Sequence, residues 1–165
     1  LTDKVVVITG GSRGIGRATA LAAAARGFRI VVGYASNQAA ADDVVAAIER
    51  KNGKAIAVKC DVGNEKDILV LFRVADDFGT LGALVNNAGI VGPSARVEDM
   101  SAERIQRMMA VNVTGSILCA REAVKRMSTR NGGKGGVIVN LSSVAARLGA
   151  PNTYVDYAAS KGAVD

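Results

Sequence analysis

The chain has 165 residues, 49% of them apolar and 22% charged, a composition that fits one packed domain over residues 1–165 and excludes a disordered chain. Its net charge of +6 comes from Lys and Arg scattered along the sequence, with no dense basic run and only three Tyr and three Phe; this reads as a solvated surface, not as a nucleic-acid or membrane interface. Histidine is absent, which excludes Ser-His-Asp and Cys-His nucleophiles and most zinc sites, so any proton transfer falls to Tyr, Lys, Asp or Glu.

No apolar run is long enough to span a bilayer. Residues 1–9 lack the charged start, apolar stretch and cleavage site of a leader peptide, so the expected location is the cytoplasm. Cys60 and Cys119 form no CxxC pair and are expected to be reduced and structural.

In chain order, the first expected strand covers residues 4–9. A helical pattern follows, with Ile15, Ala18, Ala22 and Ala25 on one face. A second strand is expected over 29–34, then a helix with Ala41, Val44, Val45 and Ile48 on one face. The third strand covers 55–59, and Ile68, Leu71, Phe72 and Ala75 mark the next helix. The fourth strand covers 83–86. A longer helix is expected from Ser101, a plausible N-cap, to about Met127, and the fifth strand covers 136–141. Gly27, Gly53 and Gly79 sit where the first three helices should stop. Most of the strands are rich in Val and Ile and lack apolar/polar alternation, as strands buried on both faces do. Strand and helix in strict order predict a doubly wound parallel sheet in three αβα layers.

The first strand runs straight into Thr9-Gly10-Gly11-Ser12-Arg13-Gly14-Ile15-Gly16. Glycine permits a tight turn and close approach of backbone to a pyrophosphate, and the following helix N-terminus offers N–H groups to the anion. An ordinary strand-to-helix turn is the plainer alternative, but the place of this loop at the first such turn favours a dinucleotide site. An acid at the end of the second strand would select NAD. Here Tyr34-Ala35-Ser36-Asn37 stands there, with no acid before Asp42. Arg13 is suited to a 2′-phosphate, with Ser36 and Asn37 as further donors, so NADP(H) is expected over NAD(H).

The spacing of Thr9, Gly10, Gly14 and Gly16 resembles the TGxxxGxG signature of the short-chain dehydrogenase/reductase family. Further motifs stand in family order. Asn86-Asn87-Ala88-Gly89 follows strand four and matches NNAG. Asp61 and Val62, after strand three, resemble the adenine-contacting position. Asn112 lies on an apolar helical stripe behind Met108 and Met109, where it either bonds a local backbone kink or, by the resemblance, also holds a water of the proton relay. Ser143 follows strand five. Tyr157 and Lys161, four apart on one helix face, form YxxxK. A nearby Lys cation favours the phenolate of a tyrosine, whose ordinary pKa of about 10 is too high for a base at neutral pH.

The resemblance spans essentially the whole chain. It implies hydride transfer between NADP(H) and a carbonyl or alcohol substrate, with Asn112, Ser143, Tyr157 and Lys161 catalytic. Tyr157 would exchange the proton, and Ser143 would hold the substrate oxygen, with Ser142 a weaker substitute. Lys161 would bind the nicotinamide ribose. Cofactor contacts are expected from Gly10, Ser12, Arg13, Gly14, Ile15, Gly16, Tyr34, Ser36, Asn37, Asp61, Val62, Asn87, Ala88, Gly89, Tyr157 and Lys161. No metal is implied. A homo-oligomer, dimer or tetramer, is implied, with the 101–127 helix and the Tyr157 helix forming the contact between subunits. The alternative is a non-catalytic NADP(H)-binding regulator or an inactive fragment. Family members continue beyond the Tyr157 helix with segments that shape the substrate pocket, so the reading expects an unpaired sheet edge after strand five and leaves the substrate open.

Overall fold

In the computed structural model, which describes residues 3–165, Val5, Val7, Ile8, Ile30, Val31 and Val32 are entirely out of solvent. They form the centre of a parallel sheet whose strands are β1 Lys4–Ile8, β2 Arg29–Tyr34, β3 Ala55–Lys59, β4 Thr80–Asn86 and β5 Val137–Asn140, in the order β3-β2-β1-β4-β5. The order reverses between β1 and β4. Leu1 and Thr2, part of the segment read as lacking a leader, lie outside the described residues.

The sheet has an apolar core on each face. Val6, Ile8, Ile30 and Val32 meet Ala20 of α1 (Gly14–Ala24) and Ala41, Val44 and Ile48 of α2 (Gln38–Glu49). Val5, Val7, Val31 and Leu84 meet Ile68, Leu71, Phe72 and Ala75 of α3 (Glu65–Phe78), together with Cys119, Ala123 and Met127 of α5 (Gly115–Met127). Alternate residues of β1 and β2 thus feed opposite cores, which is why those strands carry no polar alternation. Each large side chain removed from water here contributes about 1.5–3 kcal/mol. The Asn64 side chain accepts from Lys66 N to start α3, and Gly79 caps its end.

Three expectations are corrected. The buried side of α1 is Gly16 and Ala20, whereas Ile15, Ala18, Ala22 and Ala25 face solvent, Ile15 being 66% exposed. An alanine-rich helix carries too little apolar contrast for spacing to pick its inner face; close packing of Gly16 picks it instead. The helix expected over 101–127 is interrupted. It consists of α4 (Ala102–Met109), a π-helical turn at Ala110–Thr114, and α5. Finally, β5 is not buried on both faces, with Val137 58% and Val139 45% exposed. It lies at one edge of the sheet, β3 being at the other, with β4 as its partner among the described residues.

The loop after β5 leads to two short helices, α6 (Ala145–Leu148) and α7 (Val155–Gly162). Among the described residues no helix is long and apolar enough to cross a membrane. The corrected face of α1 has a measurable consequence. Ala20→Leu should destabilise the fold by about 1–3 kcal/mol through overpacking, whereas Ala18→Leu should leave it within about 0.5 kcal/mol of wild type; chemical denaturation checks the pair, and equal effects would contradict the assignment.

Candidate active site

The site is assembled at the carboxyl ends of β1 and β4. Thr9 Oγ1 donates to Val85 O at 3.3 Å and accepts from Asn87 N at 3.1 Å and Ala88 N at 3.0 Å. Asn87 Nδ2 returns two bonds, to Thr9 O at 2.9 Å and Gly10 O at 2.8 Å. The glycine loop and the 87–90 loop are therefore one hydrogen-bonded unit. Two glycines are required by space. A Cβ on Gly16 would fall 2.5 Å from both Asn87 Nδ2 and Gly10 O, and one on Gly10, whose φ is +62°, would fall 2.9 Å from Ala88 Cα.

Beside this unit lies a cavity of about 470 Å³. Of the residues assigned to cofactor from sequence, Gly10, Ser12, Arg13, Gly14, Ile15, Ser36, Asn37, Asp61, Val62, Asn87, Ala88 and Gly89 line it. Gly16 stands behind the loop. Tyr34 does not reach the cavity; its side chain is buried in the core beside α2. The first backbone bond of α1 runs from Arg17 N to Arg13 O, so the N–H groups before it have no partner within the helix and suit an anion. Gly14, at φ +52°, has open space where a side chain would be. Asn37 Oδ1 accepts from Ala40 N and caps α2, which leaves its amide hydrogens for a ligand.

Arg107 is a wall residue that sequence reasoning missed. Its Nη2 lies 2.8 Å from Asp61 Oδ2. Burial would raise the Asp61 pKa, but the Arg107 bond and the Gly63 N–H outweigh it and hold the carboxyl below its ordinary value. Helical spacing from Val111, which also lines the cavity, was the one available signal. Cys60 lines the wall too, yet burial, reinforced by Asp67 and Asp61, pushes its thiol up to about 12. Cys119 is likewise pushed up to about 12 by burial. Both thiols are free and protonated at neutral pH.

Beyond Gly89 stand the groups assigned to catalysis. A Cβ on Gly89 would lie 3.4 Å from Asn112 Oδ1 and 3.7 Å from Lys161 Nζ. Asn112 occupies the π-helical turn and is 1% exposed. Its Oδ1 accepts from Ile90 N at 2.8 Å, and its Nδ2 donates to Ile90 O at 3.0 Å and Ser160 Oγ at 2.9 Å. Ser160 Oγ donates in turn to Tyr157 O at 2.7 Å. Asn112 thus sits at a kink of the helix, but its side chain bonds Ile90 and Ser160 and not the backbone of the kink, and so ties the loop after β4 to α7.

Lys161 is 6% exposed, donates to Leu141 O at 2.6 Å and lies 5.9 Å from the Tyr157 ring centroid. Burial lowers its pKa. Tyr157 is half-buried, on the same face of α7. Neither Tyr157 nor Lys161 lines the cavity itself. Ser143 sits in the loop after β5, where its Oγ accepts from Ala145 N at 3.2 Å; Ser142 Oγ instead donates to Lys161 O at 3.3 Å. Among the described residues no cluster of acidic or sulfur side chains could hold a metal ion.

A family model described as short chain dehydrogenase matches residues 4–165. The chain belongs to that family. It is 52% identical over 162 residues to the uncharacterized oxidoreductase YgfF of Escherichia coli, covering 98% of the chain and 66% of YgfF. It is 41% identical to a 3-oxoacyl-[acyl-carrier-protein] reductase of Synechocystis and 40% identical to glucose 1-dehydrogenase 2 of Bacillus subtilis, covering 99% of the chain and 65% and 63% of those proteins. A short-chain dehydrogenase/reductase structure from Serratia marcescens superposes with a TM-score of 0.90 at 33% identity, over 99% of the chain and 64% of its own. The chain therefore spans just under two thirds of the length of these relatives.

One further contact has a pH signature. Asp156, 4% exposed, accepts from Arg104 Nε at 2.8 Å and Nη2 at 3.1 Å, and from Tyr157 N at 2.9 Å. The Arg104 bond holds its carboxyl below the ordinary value. A carboxyl whose folded pKa is depressed stabilises the fold above its unfolded pKa, about 4, and loses that contribution as pH falls through the folded value. Asp156→Asn should therefore be most destabilising at neutral pH, with the gap to wild type closing in acid; a gap independent of pH in denaturation experiments would contradict the pairing.

Proposed function

We propose that the protein is an NADP(H)-dependent oxidoreductase that interconverts a carbonyl and an alcohol, with Tyr157 as acid and base. The observation that carries this reading is the position of Gly89. It lines the nucleotide-sized cavity and also abuts Lys161 Nζ and the Asn112 side chain, so the Gly89 end of the cavity meets a buried amine with the Tyr157 ring near it.

The residues fit a dinucleotide. The glycine loop and the α1 N-terminus take the pyrophosphate, because close backbone approach and free N–H groups coincide there. Arg13, exposed at the cavity rim with Ser36 and Asn37, takes the 2′-phosphate; among the described residues no carboxylate lines that end apart from Asp61, which Arg107 engages. Asp61 and Val62 flank the adenine. Lys161 and Tyr157 hold the nicotinamide ribose end. When bound, the cofactor supplies or accepts the hydride.

The chain's own chemistry is proton transfer. Tyr157 donates its phenolic proton to the substrate oxygen in reduction and recovers it in oxidation. Ser143 donates a hydrogen bond to the same oxygen and holds it in line. The Lys161 ammonium stabilises negative charge developing on the phenol oxygen. Asn112 connects Lys161 to water through the π-helical turn. Ile117 and Val124 of α5 are 62% and 49% exposed, which supports a homo-oligomer built on that helix.

The test is an NADPH oxidation screen of the natural full-length protein against ketones, aldehydes, sugars and oxoacyl thioesters. Tyr157→Phe should abolish turnover while the NADPH dissociation constant changes less than about twofold; unchanged turnover would refute the assignment. Arg13→Ala should weaken NADPH roughly 10- to 100-fold, the equivalent of a charged hydrogen bond of about 1.5–3 kcal/mol, with little change for NADH; an unaltered NADPH affinity would end the case for the phosphorylated cofactor.

A further inference from the structure

The helix that carries Tyr157 is short and weakly started. It spans Val155–Gly162, and its N-cap residue Tyr154 makes no side-chain capping bond. A helix of two turns has little stability of its own, so its direction must come from outside. Besides the bonds that join Lys161 to Leu141 O and Ser142 Oγ, two anchors reach the helix from α4 and the π-helical turn. One is the Asn112–Ser160 bond from the π-helical turn. The other is the ion pair from Arg104 on α4 to Asp156, the residue immediately before Tyr157.

That pair has features that packing alone does not require. The Asp156 side chain is 1% exposed and the Arg104 side chain 19% exposed, so two charges have been taken out of water at a cost that apolar side chains would avoid. What the charges add is direction: both carboxylate oxygens face the guanidinium fork, and a two-point contact fixes orientation where a single one would leave rotation. Asp156 Oδ1 also accepts from Tyr157 N, so the carboxylate grips the backbone of the acid/base residue directly. The same guanidinium lies over Gly92, where a Cβ would fall 2.9 Å from Arg104 Cζ. Ala95 N donates to Thr153 O at 3.0 Å just beyond. Arg104 therefore clamps the loop after β4 and α7 at once.

We infer that Arg104 and Asp156 form a positioning pair that aims Tyr157 at the Gly89 end of the cavity, setting the rate of the chemical step without touching cofactor or substrate. The inference rests on the reading of Tyr157 as acid and base. A displacement of about 1 Å at a reacting group costs on the order of 100-fold in rate, so the pair controls kcat through geometry.

The experiment uses the natural full-length protein, the carbonyl it turns over fastest in the panel above, and NADPH. Asp156→Asn should lower kcat at least about 10-fold while the NADPH dissociation constant stays within about twofold, and should speed hydrogen–deuterium exchange of amides 155–162 but not of β1 and β4. The double variant Arg104→Met with Asp156→Leu removes both charges and leaves neither unpaired. Its denaturation midpoint should return toward wild type while kcat stays low, a split that a purely structural role would not produce. Wild-type kcat in the double variant would overturn the inference, and so would unaltered exchange at 155–162, whether or not a panel carbonyl is turned over. If Asp156→Asn does not fold, the double variant decides. Tyr157→Phe runs in parallel: an inactive Tyr157→Phe beside a fully active double variant sinks the positioning role alone, whereas an active Tyr157→Phe sinks the reading beneath it.

Discussion

The seam between β1 and β4 holds the site together. These strands are neighbours because the sheet order reverses at this point, and two chain segments leave their carboxyl ends in different directions. Left alone, the two loops would splay. Thr9 and Asn87 prevent it with a reciprocal set of bonds in which a buried hydroxyl and an amide satisfy each other's backbone. Buried polar groups of this kind are costly when one partner is lost and rigid when all are present. That rigidity lets Gly10 and Gly16 pack at distances no side chain would tolerate, and it leaves the N-terminus of α1 facing the cavity.

A second constraint sits one layer further in. A π-helical turn carries one residue more per turn than the α-helix around it and so shifts the helical phase locally; such turns concentrate at functional positions. Here it brings the Asn112 amide, four residues beyond Met108, against both backbone groups of Ile90 and against Ser160. One side chain thereby links α4 and α5, the loop after β4, and α7. Ser116 Oγ donates to Asn112 O across the turn, which gives that carbonyl a partner.

Charge is distributed unevenly, and depth decides what each pair does. Arg126 meets Asp76 bidentately, and Glu122 gathers Arg121, Lys125 and Arg126 along the outer side of α3 and α5. The partly exposed Arg126–Asp76 pair contributes about 1 kcal/mol or less, whereas the Glu122 side chain is buried and depends on its cationic partners. Lys161 differs in kind. It is buried, its hydrogen-bond acceptor is the Leu141 carbonyl, and no carboxylate faces it among the described ion pairs. Desolvation without neutralisation is what lowers its pKa; on the proposed reading, an ammonium with no carboxylate partner leaves its charge for the Tyr157 phenol.

Much of this was legible in the residues themselves. Strands buried on both faces must be apolar throughout, so β1 and β2 declared themselves as unbroken Val and Ile runs, and the strongly periodic α3 showed its inner face. The glycine loop was legible because a tight strand-to-helix turn calls for glycine, and Gly10 and Gly16 have no room for a side chain. Other features were invisible for equally physical reasons. Alanine contrasts too little with its neighbours to orient α1. A π-turn leaves no mark in an apolar stripe that continues through it. Arg107 and Asp61 are 46 positions apart, and Arg104 and Asp156 are 52 apart, separations at which no local spacing rule applies. The sequence by itself thus determined which segments become strands and helices and which loop can cradle an anion, because those depend on short-range sterics and on burial pattern. The tertiary structure alone decided which side of α1 turns inward, where the long helix slips its phase and which cation meets which acid, because those depend on what the folded chain brings to the other side of each contact.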